Sequence, residues 1–156
     1  MGKICCFAGH SNIYDTDNIK KKLDALIEKL IIEENVSEFW VGAYGDFDYI
    51  SASSIRKLKE RYPDIKLNLV IPYLTQRISG RAFSYNEKYD NIFVAEIPPK
   101  TPKKFYISKC NEYMVQNSCF MICYVKNTWG GAVKTLEYAQ RKKHIKIFNL
   151  SEKYLY

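Results

Sequence analysis

One unit in the later part of the chain limits the fold more than any other. Residues 119–125, CFMICYV, are an apolar run of strand length that leads through Thr128, Trp129, Gly130 and Gly131 into a helical segment. A second apolar run follows at 145–150. Strand, glycine pair, helix and strand in that order make a βαβ unit, in which the turn and the helix N-terminal amides can hold a phosphate. Gly130 and Gly131 carry no Cβ, so the backbone there can come close to a ligand. Thr135 and Glu137 follow on the first helical turns. A plain strand-to-helix turn also accounts for the pair, because a short glycine loop is a weak signature on its own.

The rest of the chain repeats the alternation. Residues 3–8, KICCFA, read as a strand closed by Gly9, His10, Ser11 and Asn12. Asp17 or Asn18 can cap a helix whose apolar residues Ile19, Leu23, Leu26, Ile27, Leu30 and Ile31 recur at spacings of three and four. A strand at 38–43 precedes a helix over about 47–61, capped by Asp46 and stopped before Pro63. A third strand at 65–71 ends at Pro72. Residues 74–91 have no clean period and read as irregular; their place after the third strand suits a lid or an oligomer contact. A short strand at 92–97, a rigid basic connection at 98–102 and a helix at 105–117 complete the order. Strands alternating with helices predict an α/β protein with a mostly parallel sheet flanked by helices on both faces. Its 156 residues suit one domain with one core.

Composition narrows the function classes. With 47% apolar and 26% charged residues, the chain reads as globular and cytoplasmic rather than disordered. It has no apolar run long enough for a bilayer and no signal pattern at its start, so no membrane partner is expected. Of five cysteines, Cys5 and Cys6 fall on opposite faces of a strand, and Cys119 and Cys123 on one face but well separated. Neither pair has zinc-site spacing, so buried free thiols are expected, with no metal and no cofactor. The net charge of +7 suits either a nucleic acid or a small polyanion, and its lysines and arginines are scattered over helices and loops.

In parallel α/β sheets ligands bind beyond the carboxyl ends of the strands. Three segments fall there, 9–12, 42–48 and 127–134, each with glycine, polar residues and a helix start. His10 reads as a hydrogen-bond donor or stacking partner, or as a loop histidine with no task. In GAYGDFD, from Gly42 to Asp48, Gly45 can supply a positive φ, Asp46 a helix cap and Asp48 a partner for ribose hydroxyls. Asn111 and Met114 share a helix face; Met114 reads as core and Asn111 as reaching toward the site, with Glu112 and Tyr113 at the surface. Lys134 is a charge partner for a phosphate on the glycine loop. Glu137 is the carboxylate an N-glycosidic hydrolysis would need, or simply a good helix former on an exposed face.

Four blocks together resemble the SLOG superfamily, the Rossmann-like group that includes the DNA-processing protein DprA and the LOG enzymes, and most of all its YpsA-like branch. They are CCFAGH (5–10), GAYGDFDYISA (42–52), CNEYMVQNSCFMICYV (110–125) and GGAVKTLEYA (130–139). The resemblance implies a Rossmann-like fold, often oligomeric, that binds nucleotide-derived molecules. It also implies that Gly9, His10, Gly45, Asp48, Gly130, Gly131 and Thr135 line the ligand site. The chain departs from the branch at Ser11, where arginine is common, at Lys109-Cys110 before Asn111, and at Gln116 and Cys119, where acidic residues are common. The tighter PGGxGTxxE loop of LOG enzymes is replaced here by Trp129-Gly130-Gly131-Ala132-Val133-Lys134, and their upstream catalytic arginine has no match. The leading expectation is a sensor that binds a nucleotide-derived ligand and reports it to a protein partner. A LOG-like phosphoribohydrolase using Glu137 is the second reading, and a DprA-like nucleic-acid-binding module the third.

Overall fold

The computed structural model describes residues 2–74 and 88–151. Six strands run β1 (Lys3–Gly9), β2 (Val36–Val41), β3 (Lys66–Ile71), β4 (Asn91–Val94), β5 (Phe120–Tyr124) and β6 (Lys146–Asn149). Between them lie the helices α1 (Thr16–Glu34), α2 (Asp46–Lys59), α3 (Tyr106–Asn117) and α4 (Gly131–Gln140), with a 3-10 turn at Lys103–Phe105 before α3. Most of the irregular stretch, 75–87, lies outside the described residues.

The strands form one sheet in the order β4-β3-β2-β1-β5-β6, and every neighbouring pair is parallel. Burial on both faces explains why the central strands read as continuous apolar runs instead of alternating ones. Every residue of β5 is buried. Cys5 and Phe7 of β1 point into one core with α1 and α2, while Cys6 and Ala8 point into the other. That second core is closed by Cys110, Met114 and Val115 of α3 and Ala139 of α4.

Helix α1 buries Ile19, Leu23, Leu26, Ile27 and Leu30, as its spacing predicts, and leaves Ile31 only partly covered. It ends at Asn35, whose φ of 57° is left-handed and whose amide returns to the Leu30 carbonyl. Its start differs from expectation. Asp15 holds the cap position and Asp17 lies inside the first turn, where a carboxylate favours the positive end of the helix. Asn18 donates to the Asp15 carboxylate at 3.4 Å and caps nothing.

The edge strand β4 has only four residues and is held from its N-terminal side. The Asp90 carboxylate accepts the Leu67 amide at 2.7 Å and the Lys59 ammonium at 2.6 Å. The salt bridge and the backbone bond outweigh desolvation, and the Asp90 carboxyl titrates below its ordinary range.

Cys119 departs from its expected burial: it precedes β5 and is exposed, while the other four thiols are buried and free. Tyr113 departs the other way. It stacks on Trp40 at 5.9 Å between ring centres, because α3 packs across β1 and β3 and turns that face inward.

Candidate functional site

The sheet winds outward from β1 in one direction to β4 and in the other through β5 to β6. The crossover directions diverge between β1 and β5, and at such a switch point the loops beyond the strand ends splay apart and leave a crevice. A cleft of about 600 Å³ lies there. Its walls are the β1–α1 loop, the β2–α2 loop, α3 and the β5–α4 loop.

The cleft gathers Gly9, His10, Ser11, Gly42, Asp48, Asn111, Gly130, Gly131 and Thr135. Three sequence candidates stand elsewhere. Gly45 is behind the wall, where a Cβ would come 2.8 Å from the Ser11 Cα; its glycine is required by that backbone contact. Lys134 and Glu137 line a separate, smaller groove between α3 and α4, with Glu112, Tyr138 and Arg141, and Thr135 is shared between that groove and the cleft. Residues 134, 137, 138 and 141 recur at three and four, so they share a helix face turned away from the cleft.

The first loop is tied on both sides. His10 Nε2 accepts the amides of Lys126 at 2.8 Å and Asn127 at 3.3 Å, so the proton of the neutral ring sits on Nδ1. Desolvation and the neighbouring Lys126 charge lower its pKa, so the ring is neutral near pH 7. On the other side, the Asp46 amide donates to the Ser11 carbonyl at 2.9 Å, and the Asp46 carboxylate accepts the Ile13 amide at 3.0 Å. Asp46 is thus the first residue of α2 and a clasp for the β1–α1 loop, while Gly45 takes the cap position.

Asp48 is half-buried in the cleft wall. Burial pushes its carboxyl from 3.8 up to about 6, against the pull of the Tyr44 and Gly42 amides. The Tyr44 amide donates to Asp48 Oδ2 at 3.2 Å. A Cβ on Gly42 would stand 3.1 Å from the same oxygen, so glycine there makes room for the carboxylate. Cys110 lies close enough for its thiol to feel that charge. Burial first and Asp48 second push the thiol up to about 12, so it is a neutral wall group and no nucleophile.

The two glycines at the start of α4 differ. Gly130 has φ of 108°, which an L side chain rarely adopts. Gly131 has no positive φ, and a Cβ there would meet nothing within 4 Å. No side chain caps α4, and its first two residues, Gly131 and Ala132, line the cleft. Thr135 is buried and turned back onto the Gly131 carbonyl at 3.1 Å.

Of the lining residues not singled out from the sequence, Tyr44, Asn127 and Trp129 fall within the segments expected at the site, while Tyr14, Val70, Ile107 and Lys126 lie outside them. Lys126 and Trp129 had a usable signal, since both lie between the carboxyl end of an apolar strand and the glycine pair. Tyr14 and Ile107 had none, because only the packing of distant elements brings them to the rim. Among the described residues no helix is long and apolar enough to cross a membrane.

Comparison with known proteins agrees with this architecture. The chain is 28% identical to the UPF0398 protein BH1768 of Halalkalibacterium halodurans over 131 residues, 80% of this chain and 69% of that protein. DNA processing protein A (DprA) from Streptococcus pneumoniae shares the fold with a TM-score of 0.68 at 15% identity. The match takes in 99% of this chain and 52% of that one, so the chain spans about half the length of the pneumococcal protein. DprA from Helicobacter pylori, whose structure was described for its single-stranded DNA binding mode, matches with a TM-score of 0.63 at 13% identity, over 96% and 67% of the two chains. The model of the YpsA family, the YspA SLOG family, matches residues 5–152. With that match running almost from end to end over a parallel sheet of DprA-like topology, the chain belongs to the YspA SLOG family.

Proposed function

We propose that the cleft between β1 and β5 binds a nucleotide-derived ligand and that the domain acts as a sensor, reporting occupancy to a protein partner or through a homo-oligomer. One observation carries this reading. Glycine at position 131 is required by neither backbone conformation nor packing, and in a helix it costs up to ~1 kcal/mol relative to alanine. Close approach of a ligand to the bare backbone is the remaining physical reason for it.

In this reading the Gly131 end of α4 takes a phosphate, with Lys126 as its counter-charge in place of Lys134. Asp48 takes ribose hydroxyls. His10 holds the loop amides in place through Nε2 and faces a ligand only through Nδ1. The test is thermal unfolding of the purified protein against nucleotides, dinucleotides, cyclic nucleotides and ADP-ribose derivatives, with mass analysis of each mixture afterwards. A concentration-dependent rise in melting temperature with the ligand intact supports a sensor. Gly131→Val should abolish that rise while keeping the unliganded melting temperature; unchanged affinity in a folded variant refutes the assignment.

A hydrolase centred on Glu137 draws no support from its position, since that carboxylate is exposed and in the other groove. Single-stranded DNA is the second reading. The observation in its favour is the set of exposed aromatics at the cleft rim, Tyr14, Tyr44 and Trp129, beside Lys126. It predicts affinity for an oligonucleotide that falls steeply with added salt.

A further inference from the structure

The two tryptophans of this chain live in opposite surroundings. Trp40 is 6% exposed, packed between Phe93 and Tyr113 in the core. Trp129 is 74% exposed, yet it lines the cleft and directly precedes the glycine pair. Few side chains expose as much apolar surface as an indole left in water, and exposed aromatics gathered at the rim of a cavity mark a binding surface more often than a scattered one.

The chemistry around it narrows the occupant. Lys126 is the one lysine or arginine that lines the cleft among the described residues, and it stands three positions before Trp129 on the same loop. Its backbone is fixed by His10. The open amide end of α4 begins two positions after Trp129. A flat apolar face, a cation and uncapped helix amides therefore occupy one short loop. That combination matches a planar aromatic group joined by a short linker to an anion. A nucleobase on a sugar phosphate has this form.

We infer that Trp129 is the residue that selects for a base: its indole stacks on the nucleobase of a free nucleotide whose phosphate sits at Lys126 and Gly131. The inference rests on the nucleotide reading above and adds to it the recognition of the aromatic moiety. Ribose phosphates without a base would then bind the same loop, but weakly and without discrimination by position 129.

The probes are AMP, GMP, CMP, UMP and ribose 5-phosphate, titrated calorimetrically and by tryptophan emission into the wild type, Trp129→Ala and Trp129→Phe. In the wild type a nucleotide should quench the exposed tryptophan, and ribose 5-phosphate should leave it unchanged. Trp129→Ala should weaken nucleotide binding by roughly ten- to a hundredfold, the range of base–aromatic stacking, with ribose 5-phosphate unaffected. Trp129→Phe should recover most of the loss. Equal weakening of nucleotide and ribose 5-phosphate, or full nucleotide affinity in Trp129→Ala, overturns the inference and leaves the nucleotide reading in place. No binding of any of the four nucleotides to the wild type overturns the inference, whereas the nucleotide reading falls only if the wider panel of dinucleotides, cyclic nucleotides and ADP-ribose derivatives also fails to bind. An oligothymidylate that quenches Trp129 when the mononucleotides do not assigns the stacking face to single-stranded DNA and overturns the choice of a free nucleotide.

Discussion

His10 Nε2 accepts the backbone amide of Lys126 at 2.8 Å, joining two residues 116 positions apart across the mouth of the cleft. The bond fixes the end of β1 to the loop that begins the glycine turn, so a ligand bound on that loop meets a backbone already held in place. It also fixes the charge state of the ring. Protonating Nε2 would replace an acceptor of two amides with a donor, leaving those amides facing a cation.

The stability of the protein should therefore depend on His10 in a defined direction. Its folded pKa lies below the ordinary 6.5, so between the two values the unfolded chain binds the proton more readily. The contribution is complete above about pH 6.5 and is lost as pH falls toward the folded value. Urea midpoints from pH 5 to 8 should show this slope in the wild type and a shallower one in His10→Gln. A His10 resonance titrating at or above 6.5 would falsify it.

Asp48 should behave in the opposite sense. Its pKa is raised from 3.8 to about 6, so its contribution to stability is present below 3.8 and is lost as pH rises through about 6. At pH 7 the ionised carboxylate is a burden of roughly 2 kcal/mol, after allowing for the solvent that reaches it. Asp48→Asn keeps an acceptor for the Tyr44 amide and should unfold at higher denaturant than the wild type at pH 7.5, with the difference vanishing near pH 4. The same variant should bind nucleotide more weakly, the usual opposition between stability and function. Equal midpoints at both pH values would remove Asp48 as a strained site group.

Gly9 and Gly131 both line the cleft, yet their substitutions should part company. A Cβ at Gly9 would fall 2.4 Å from the Phe47 ring, and that ring is fully buried between Phe7 and Tyr124. Gly9→Ala should cost about 1–3 kcal/mol by overpacking. Gly131→Ala has open space and should leave stability unchanged or raise it by up to ~1 kcal/mol. Chemical denaturation of the two variants side by side decides the matter, and comparable losses would mean that the α4 start is packed more tightly than the geometry allows.

The two lysines near the glycine loop offer a further contrast. Lys126 lines the cleft and Lys134 lines the groove between α3 and α4. Lys126→Ala should weaken a phosphate-bearing ligand by about tenfold, equivalent to roughly 1.4 kcal/mol. Lys134→Ala should change it by less than about twofold, because its charge is on a different helix face and screened by solvent. Affinities measured at one fixed ionic strength test this, and the reverse order would move the phosphate to the other groove.

Much of the architecture was legible in local pattern alone. Apolar runs of strand length alternating with amphipathic stretches specify an α/β order, and the one-residue offset of Cys5 and Cys6 sends them to different cores, because side chains alternate along a strand. Glycines after strands marked three of the loops that wall the cleft. Local pattern records which side of an element is apolar and where it can turn. It carries no information on which element lies beside it. The strand order, and with it the switch point between β1 and β5, was settled only by packing. That order brings His10 to Lys126, makes Asp46 a clasp for Ser11 and Ile13 instead of a cap, and stacks the partly buried Tyr113 on Trp40. It also leaves Glu137 exposed in the groove between α3 and α4, outside the cleft, while Thr135, two residues before it, is buried and lines both. Sequence determined the elements and their apolar faces; contact between distant elements decided which polar groups share a site.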